Sequence, residues 1–113
     1  MLTIDKLKSF GADVNDGLTR CMNNESFYLM LIGKALADNR LEQLNEQIKA
    51  KDLDGAFESA HALKGMYANL SLTPLLKPVL EITELLRNRS DVDYSGLLKE
   101  INEQYAKLKA LSD

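Results

Sequence analysis

The chain is 113 residues long and 45 % hydrophobic, with 17 acidic and 14 basic residues for a net charge of −3. That length supports one domain with one core, the composition is globular rather than disordered, and the interspersed charges include no basic cluster or arm that would bind nucleic acid. The lone cysteine, Cys21, rules out an internal disulfide or a cysteine metal cage and fits a reducing, cytoplasmic setting; Met1-Leu2-Thr3-Ile4-Asp5-Lys6 lacks the apolar run of a signal peptide, and no segment nears the ~20 apolar residues that cross a bilayer.

Taken in chain order, the patterns predict helices and no strands. Alternating period-2 runs are missing, and the only prolines are Pro74 and Pro78. A short amphipathic helix over Leu2–Phe10 is ended by Gly11, and a second follows Asp13 over Val14–Cys21. Asn23-Asn24-Glu25-Ser26 is a start signal, in which Asn or Ser can cap and Glu25 suits the positive helix end. From Phe27 the apolar positions run through Met30, Leu31, Ala37, Leu41, Leu44 and Ile48, which predicts one helix of about 25 residues with a bend near Gly33 or Asn39. After a turn at Lys51-Asp52, a helix is expected from Leu53 to Leu70. Ser71-Leu72-Thr73-Pro74 breaks it, with Thr73 as cap and Pro74 at the first helical position. Leu75, Leu76, Val79, Leu80, Ile82, Leu85 and Leu86 supply a third long helix, with Pro78 close enough to its start to be tolerated. Arg87-Asn88-Arg89-Ser90-Asp91 forms the next loop. Tyr94, Leu97, Leu98, Ile101, Tyr105, Leu108 and Leu111 give the last helix its three-four spacing. Four long helices with short loops predict an all-α, antiparallel up-down-up-down four-helix bundle with small additional N-terminal helices.

His61 is the only histidine. On its helix Leu53, Ala56, Ala60, Leu63, Tyr67 and Leu70 form the apolar stripe, and His61 projects on the order of 130° from the centre of that stripe. An imidazole in the stripe would be core; this one belongs on the surface. One turn later stand Lys64, a cation, and Gly65, which clears space around the ring. A glycine inside a helix costs about 1 kcal/mol relative to alanine, so an exposed one asks for a reason, and close approach by a partner supplies it. An exposed imidazole is largely unprotonated near pH 7 and is a good nucleophile. Lys64 can reach a phosphoryl group added to it, while Gly65 and Ala68 leave the ring uncrowded for in-line attack. Asp54 and Glu58 share this face towards the helix start, either orienting an imidazole N–H or simply solvated. Glu58 and His61 also have the Glu-x-x-His spacing of di-iron bundles, but those sites need two such motifs and further carboxylates facing inward. The methionines and tyrosines fit helix packing.

The string Ala60-His61-Ala62-Leu63-Lys64-Gly65, followed by Ala68-Asn69-Leu70 and Leu72, resembles the histidine phosphotransfer (HPt) domains of bacterial two-component phosphorelays. The likeness extends to the long helix before the motif and to the Thr73-Pro74-Leu75 start after it. One residue departs: Ser71 stands where the family has glycine, and serine tolerates positive φ less well, which bears on the exit of this helix. The resemblance implies that residues 1–113 form a single HPt domain whose His61 accepts a phosphoryl group from a receiver-domain aspartate and relays it to another response-regulator receiver. It further implies that Lys64 stabilises the phosphoryl group, that Gly65 and Ala68 lie on the docking face with exposed apolar residues of the N-terminal helices nearby, and that a hybrid sensor histidine kinase can be among the partners. No cofactor or metal is expected on this chain, Mg²⁺ being carried by the receiver. The absence of a glycine-rich phosphate loop fits a phosphoryl carrier that is not an enzyme and has no autokinase activity. A monomer making no membrane contact is expected. Two alternatives stand beside this reading: a kinase-linked domain of a chemotaxis-type histidine kinase, and a non-catalytic helical adaptor that binds receivers without transfer.

Overall fold

The computed structural model describes residues 1–113 as α1 (Ile4–Phe10), α2 (Val14–Arg20), α3 (Glu25–Ala37), α4 (Arg40–Lys49), α5 (Leu53–Asn69), α6 (Thr73–Arg87) and α7 (Ser95–Leu111). Four helix starts are capped as their sequences dictate. Thr3, Asp13, Asn24 and Asp52 accept hydrogen bonds from the backbone N–H of Lys6, Asp16, Phe27 and Gly55, at 3.0–3.2 Å.

The long helix expected after Phe27 is two helices. The chain passes through no break at Gly33 but leaves the helix at Asp38, whose backbone is extended at φ −73°, ψ 143°. The Arg40 N–H, which a continuous helix would give to the Leu36 carbonyl, goes to Asp38 Oδ1 at 2.7 Å. Tyr105 on α7 donates its hydroxyl to that freed Leu36 carbonyl. A short polar side chain competing for backbone groups thus ends α3, and a tyrosine from across the bundle satisfies the carbonyl left over. The start of α6 also differs from expectation. Leu72 is its N-cap, while Thr73 and Pro74 are already helical and no side chain caps this end. Arg87, expected in a loop, closes α6.

α4 packs on α5, α5 on α6, and α6 on α7. The turns between them are short, so consecutive helices run antiparallel and the bundle is up-down-up-down. α4 and α7 are joined by a reciprocal amide pair: Asn45 Nδ2 donates to Asn102 Oδ1 at 3.0 Å and Asn102 Nδ2 to Asn45 Oδ1 at 2.9 Å. Leu44, Leu63, Leu75, Ile82, Leu86, Ile101 and Leu108 fill the centre and are entirely buried. Along α5 the buried positions are Ala56, Ser59, Ala60, Leu63 and Tyr67.

α1 and α2 sit at one end, α1 against α7 and α2 against α3. α2 rests on Tyr28, a fully buried residue of α3 whose hydroxyl donates to the Leu70 carbonyl at the end of α5, 2.7 Å away. Burial pushes this phenol up to about 12, so it remains a donor throughout the physiological range. Gly17 of α2 lies flat against the Tyr28 ring: a Cβ there would stand 2.5 Å from Tyr28 Cζ and Oη.

Ser71 takes the left-handed conformation, φ 54°, that glycine would favour. Its N–H bonds to Ala68 O at 3.1 Å and the Leu72 N–H to Tyr67 O at 3.0 Å, the paired bonds of a Schellman ending. Its hydroxyl donates to Asp16 Oδ2, and its carbonyl accepts from Asp13 N at 3.0 Å. Serine therefore adopts glycine's backbone while binding the capping turn of α2. Lys51 (φ 60°) and Arg89 (φ 49°) end α4 and α6 with the same paired bonds.

Two outcomes follow from this packing. Gly17→Ala gains about 1 kcal/mol of helix propensity but drives Cβ into a buried, hydrogen-bonded ring, so a net loss of about 1–2 kcal/mol is expected in urea unfolding. The Ser71 hydroxyl, with help from Arg20, holds the Asp16 carboxyl below the usual carboxylate range. A lowered folded value contributes stability that is present above the unfolded value near 3.8 and is lost as pH falls through the folded one. Ser71→Gly, which keeps the backbone conformation, is expected to make the decline of stability below pH ~4 shallower, measured by thermal melts across the acid range.

Candidate functional site

α5 buries one flank against α4 and another against α6, which leaves a single strip of it facing solvent. His61 and Gly65 are exposed on that strip, and Lys64 and Ala68 are half-buried beside it. The expectation of an outward histidine thus matches its place in the bundle, and the Ala56–Ala60–Leu63–Tyr67 side of the helix explains it: that side is taken up by the core.

The imidazole is not free-standing. The ring of Phe57, one turn earlier on α5, stacks against it with centroids 5.8 Å apart and planes inclined by 27°. Two guanidiniums from the end of α6 lie over the same phenyl ring, Arg87 Cζ at 5.1 Å from its centroid and Arg89 Cζ at 5.0 Å. Arg89 Nε also pairs with Asp54 Oδ1 at 2.7 Å. Both carboxylates sharing the His61 face are exposed, and of the two Asp54 pairs with Arg89. The result is a run of side chains from two arginines to phenyl to imidazole, with half-buried Lys64 three residues further along the helix.

Gly65 meets open space: a Cβ built on it has nothing within 4 Å. Neither packing nor backbone conformation requires glycine there. The same face continues into a recess of about 290 Å³ between α3 and α5, lined by Leu31, Lys34 and Asp38 on one side and Met66 and Asn69 on the other. Phe27 and Met30 on α3 are exposed. A larger recess, about 410 Å³, lies between the α4–α5 turn and the α6–α7 loop; its lining includes Lys51, Leu53, Asp91 and Tyr94 but not His61.

The positions singled out in the sequence, His61, Lys64, Gly65 and Ala68, thus lie together on one helix face. Phe57, Arg87 and Arg89 were missed. Phe57 could have been found, since it stands four residues before His61 and so on the same face. The arginines could not, because their proximity depends on how the end of α6 meets the first half of α5. No group of histidine, cysteine, aspartate and glutamate side chains is arranged to hold a metal ion, and no helix is long and apolar enough to cross a membrane.

A family model described as the Hpt domain matches residues 34–111, a span running from the last turn of α3 to the end of α7 and containing His61, Lys64, Gly65 and Ala68. No curated protein and no solved structure matches the chain. The match covers more than half of the chain, and with an all-helical bundle and a histidine on its open face it leads to one conclusion: the chain belongs to the Hpt domain family, whose members carry phosphoryl groups on histidine in phosphorelays and interact with receiver domains of response regulators.

Proposed function

We propose that the chain is a phosphoryl carrier in which His61 takes a phosphoryl group from the aspartyl phosphate of one receiver domain and passes it to the aspartate of another. The observation that carries this reading is the exposed imidazole of the chain's only histidine, beside a glycine that the fold itself does not need, in a member of the Hpt family. In the forward step a ring nitrogen attacks phosphorus in line. The N–P bond forms as the P–O bond to the aspartyl carboxylate breaks, and the carboxylate leaves as an anion. The ring's other nitrogen keeps its proton through the transfer. Because the N–P bond is energy-rich, the same steps run in reverse onto a second receiver.

Lys64, three residues on, offsets the charge of about −1.5 to −2 that a phosphoryl group brings. Gly65 and Ala68 keep the approach to the ring open, and the recess beyond them, with exposed Phe27 and Met30, is suited to receive an apolar patch on the docking partner. Mg²⁺ belongs to the receiver in this scheme, and the chain supplies nucleophile, charge and shape but no autokinase activity. It works as a single domain and as a monomer, because the face around His61 is given over to its partners.

The test is transfer from an aspartyl-phosphorylated receiver at neutral pH, read on phosphate-retarding gels, with His61→Gln alongside. Acid-labile phosphate is expected on the unaltered chain and none on the variant; a variant that is still labelled shows that another residue is phosphorylated. Binding to receivers without phosphate uptake by either protein would identify an adaptor instead.

Gly65 offers a second test, because stability and function should move apart. Gly65→Ala is expected to raise stability by about 0.5–1 kcal/mol, as an exposed helical position gains propensity without a clash. Gly65→Leu should fold as well as the unaltered chain yet slow receiver-dependent transfer by at least ~10-fold, since small misplacements of reacting groups are costly. Undiminished transfer by Gly65→Leu would show that the glycine does not serve the approach of a partner.

A further inference from the structure

Phe57 carries two guanidiniums that are held very differently. Arg89 is held by backbone: its Nη1 donates to the Leu86 carbonyl at 2.6 Å and to the Arg87 carbonyl at 3.3 Å, at the left-handed end of α6, and its Nε also pairs with the exposed Asp54 at 2.7 Å. Arg87 is loosely held. Apart from the phenyl ring, its partner is Glu84, one turn back on the same exposed helix face, at 3.4 Å. Exposed pairs of that kind contribute little and exchange readily. Both guanidiniums thus rest one aromatic ring away from the imidazole of His61, one anchored and one free to leave.

We propose that Arg87 is a phosphoryl-binding residue for His61: in the unphosphorylated protein its guanidinium is held in reserve on Phe57, and when His61 is phosphorylated it swings from the phenyl ring and Glu84 to the phosphoryl oxygens. This rests on the reading of His61 as the phosphorylated residue. Charge decides the exchange. A phosphoryl group offers a planar guanidinium two charge-assisted bonds at once, stronger than one long contact with a solvated carboxylate or the face of a phenyl ring. Lys64 lies three residues after His61 and Phe57 four before it, so Arg87 would approach from the side opposite Lys64 and enclose the phosphoryl group between two cations. Phe57 and Arg89 are positioning residues here: the ring aligns the imidazole and stores Arg87, while Arg89, tied to the Leu86 carbonyl, fixes the ring from the far end. The charged groups facing this site are Asp54, Glu58 and Lys64 of α5, Glu84 and Arg87 of α6, and Arg89 just beyond it.

The test needs no receiver. Phosphoramidate, a small donor that phosphorylates accessible imidazoles, is used to load ¹⁵N-labelled protein, and the ³¹P resonance of phospho-His61 is followed across near-neutral pH. A guanidinium on the phosphoryl oxygens disfavours a further positive charge on the phosphohistidine and lowers the midpoint of its titration. Arg87→Gln should therefore raise that midpoint by about half a pH unit or more, and Arg87→Lys should restore much of the difference. The Arg87 Nε–H signal should shift on phosphorylation while that of Arg89 stays in place. A midpoint unchanged by Arg87→Gln, or an Arg87 signal indifferent to phosphorylation, would overturn the proposal; failure of His61 to be loaded at all would overturn it together with the carrier reading. A chain that loads and shows the Arg87 effect but accepts nothing from any receiver would leave this inference standing and remove the proposed function.

Discussion

Everything at the site depends on α5 being packed from two sides. A helix at the edge of a bundle has a wide solvent face; one wedged between α4 and α6 has only a strip. Ala56, Ala60, Leu63 and Tyr67 take the core side, and Ser59, though polar, is entirely buried, its hydroxyl 2.6 Å from the side-chain amide of Gln47 on α4. Small residues at 56, 59 and 60 let the neighbouring helices come close, and what cannot be buried is concentrated into the row that holds His61 and Gly65. The position of the histidine is thus a consequence of core packing, and the chemistry makes use of a ring whose direction the core has already determined.

The helix ends show a related economy. At Lys51, Ser71 and Arg89 the chain turns through a left-handed residue that is not glycine, a conformation disfavoured by about 1 kcal/mol for residues with a Cβ. At two of these places the side chain gives something back. The Ser71 hydroxyl bonds Asp16 and so ties the end of α5 to α2, and Arg89 reaches from the end of α6 to Asp54 and Phe57 on α5. A glycine at either point would turn as easily but would lose these side-chain ties. Nothing in the structure gives Lys51 a comparable reward.

The bundle was legible from sequence because three-four spacing of leucines reports buried helix faces directly, and the outward histidine followed from the same periodicity. The break at Asp38 was not legible in full. Apolar spacing runs almost undisturbed from Phe27 to Ile48, and the interruption comes from one carboxylate capturing the Arg40 N–H and one distant tyrosine capturing the Leu36 carbonyl. Thr73 looked like a cap by residue type but lies one place inside the helix. Around His61, the partners on its own helix lay within reach of a sequence argument. Those from α6 did not, because Arg87 and Arg89 sit where spacing predicts a loop and gain meaning only when that end of α6 meets Phe57.

A carrier differs from a protein that is merely labelled in that it hands its phosphoryl group on. The decisive measurement is therefore a chase: the phosphorylated chain, freed of its donor, is mixed with a second receiver and Mg²⁺, and the phosphate is followed in time. Label is expected to leave His61 and appear on the receiver much faster than it is released to water. Label that stays on the chain, or departs only as inorganic phosphate across the receivers of the same cell, would contradict the claim that this bundle exposes its histidine in order to relay.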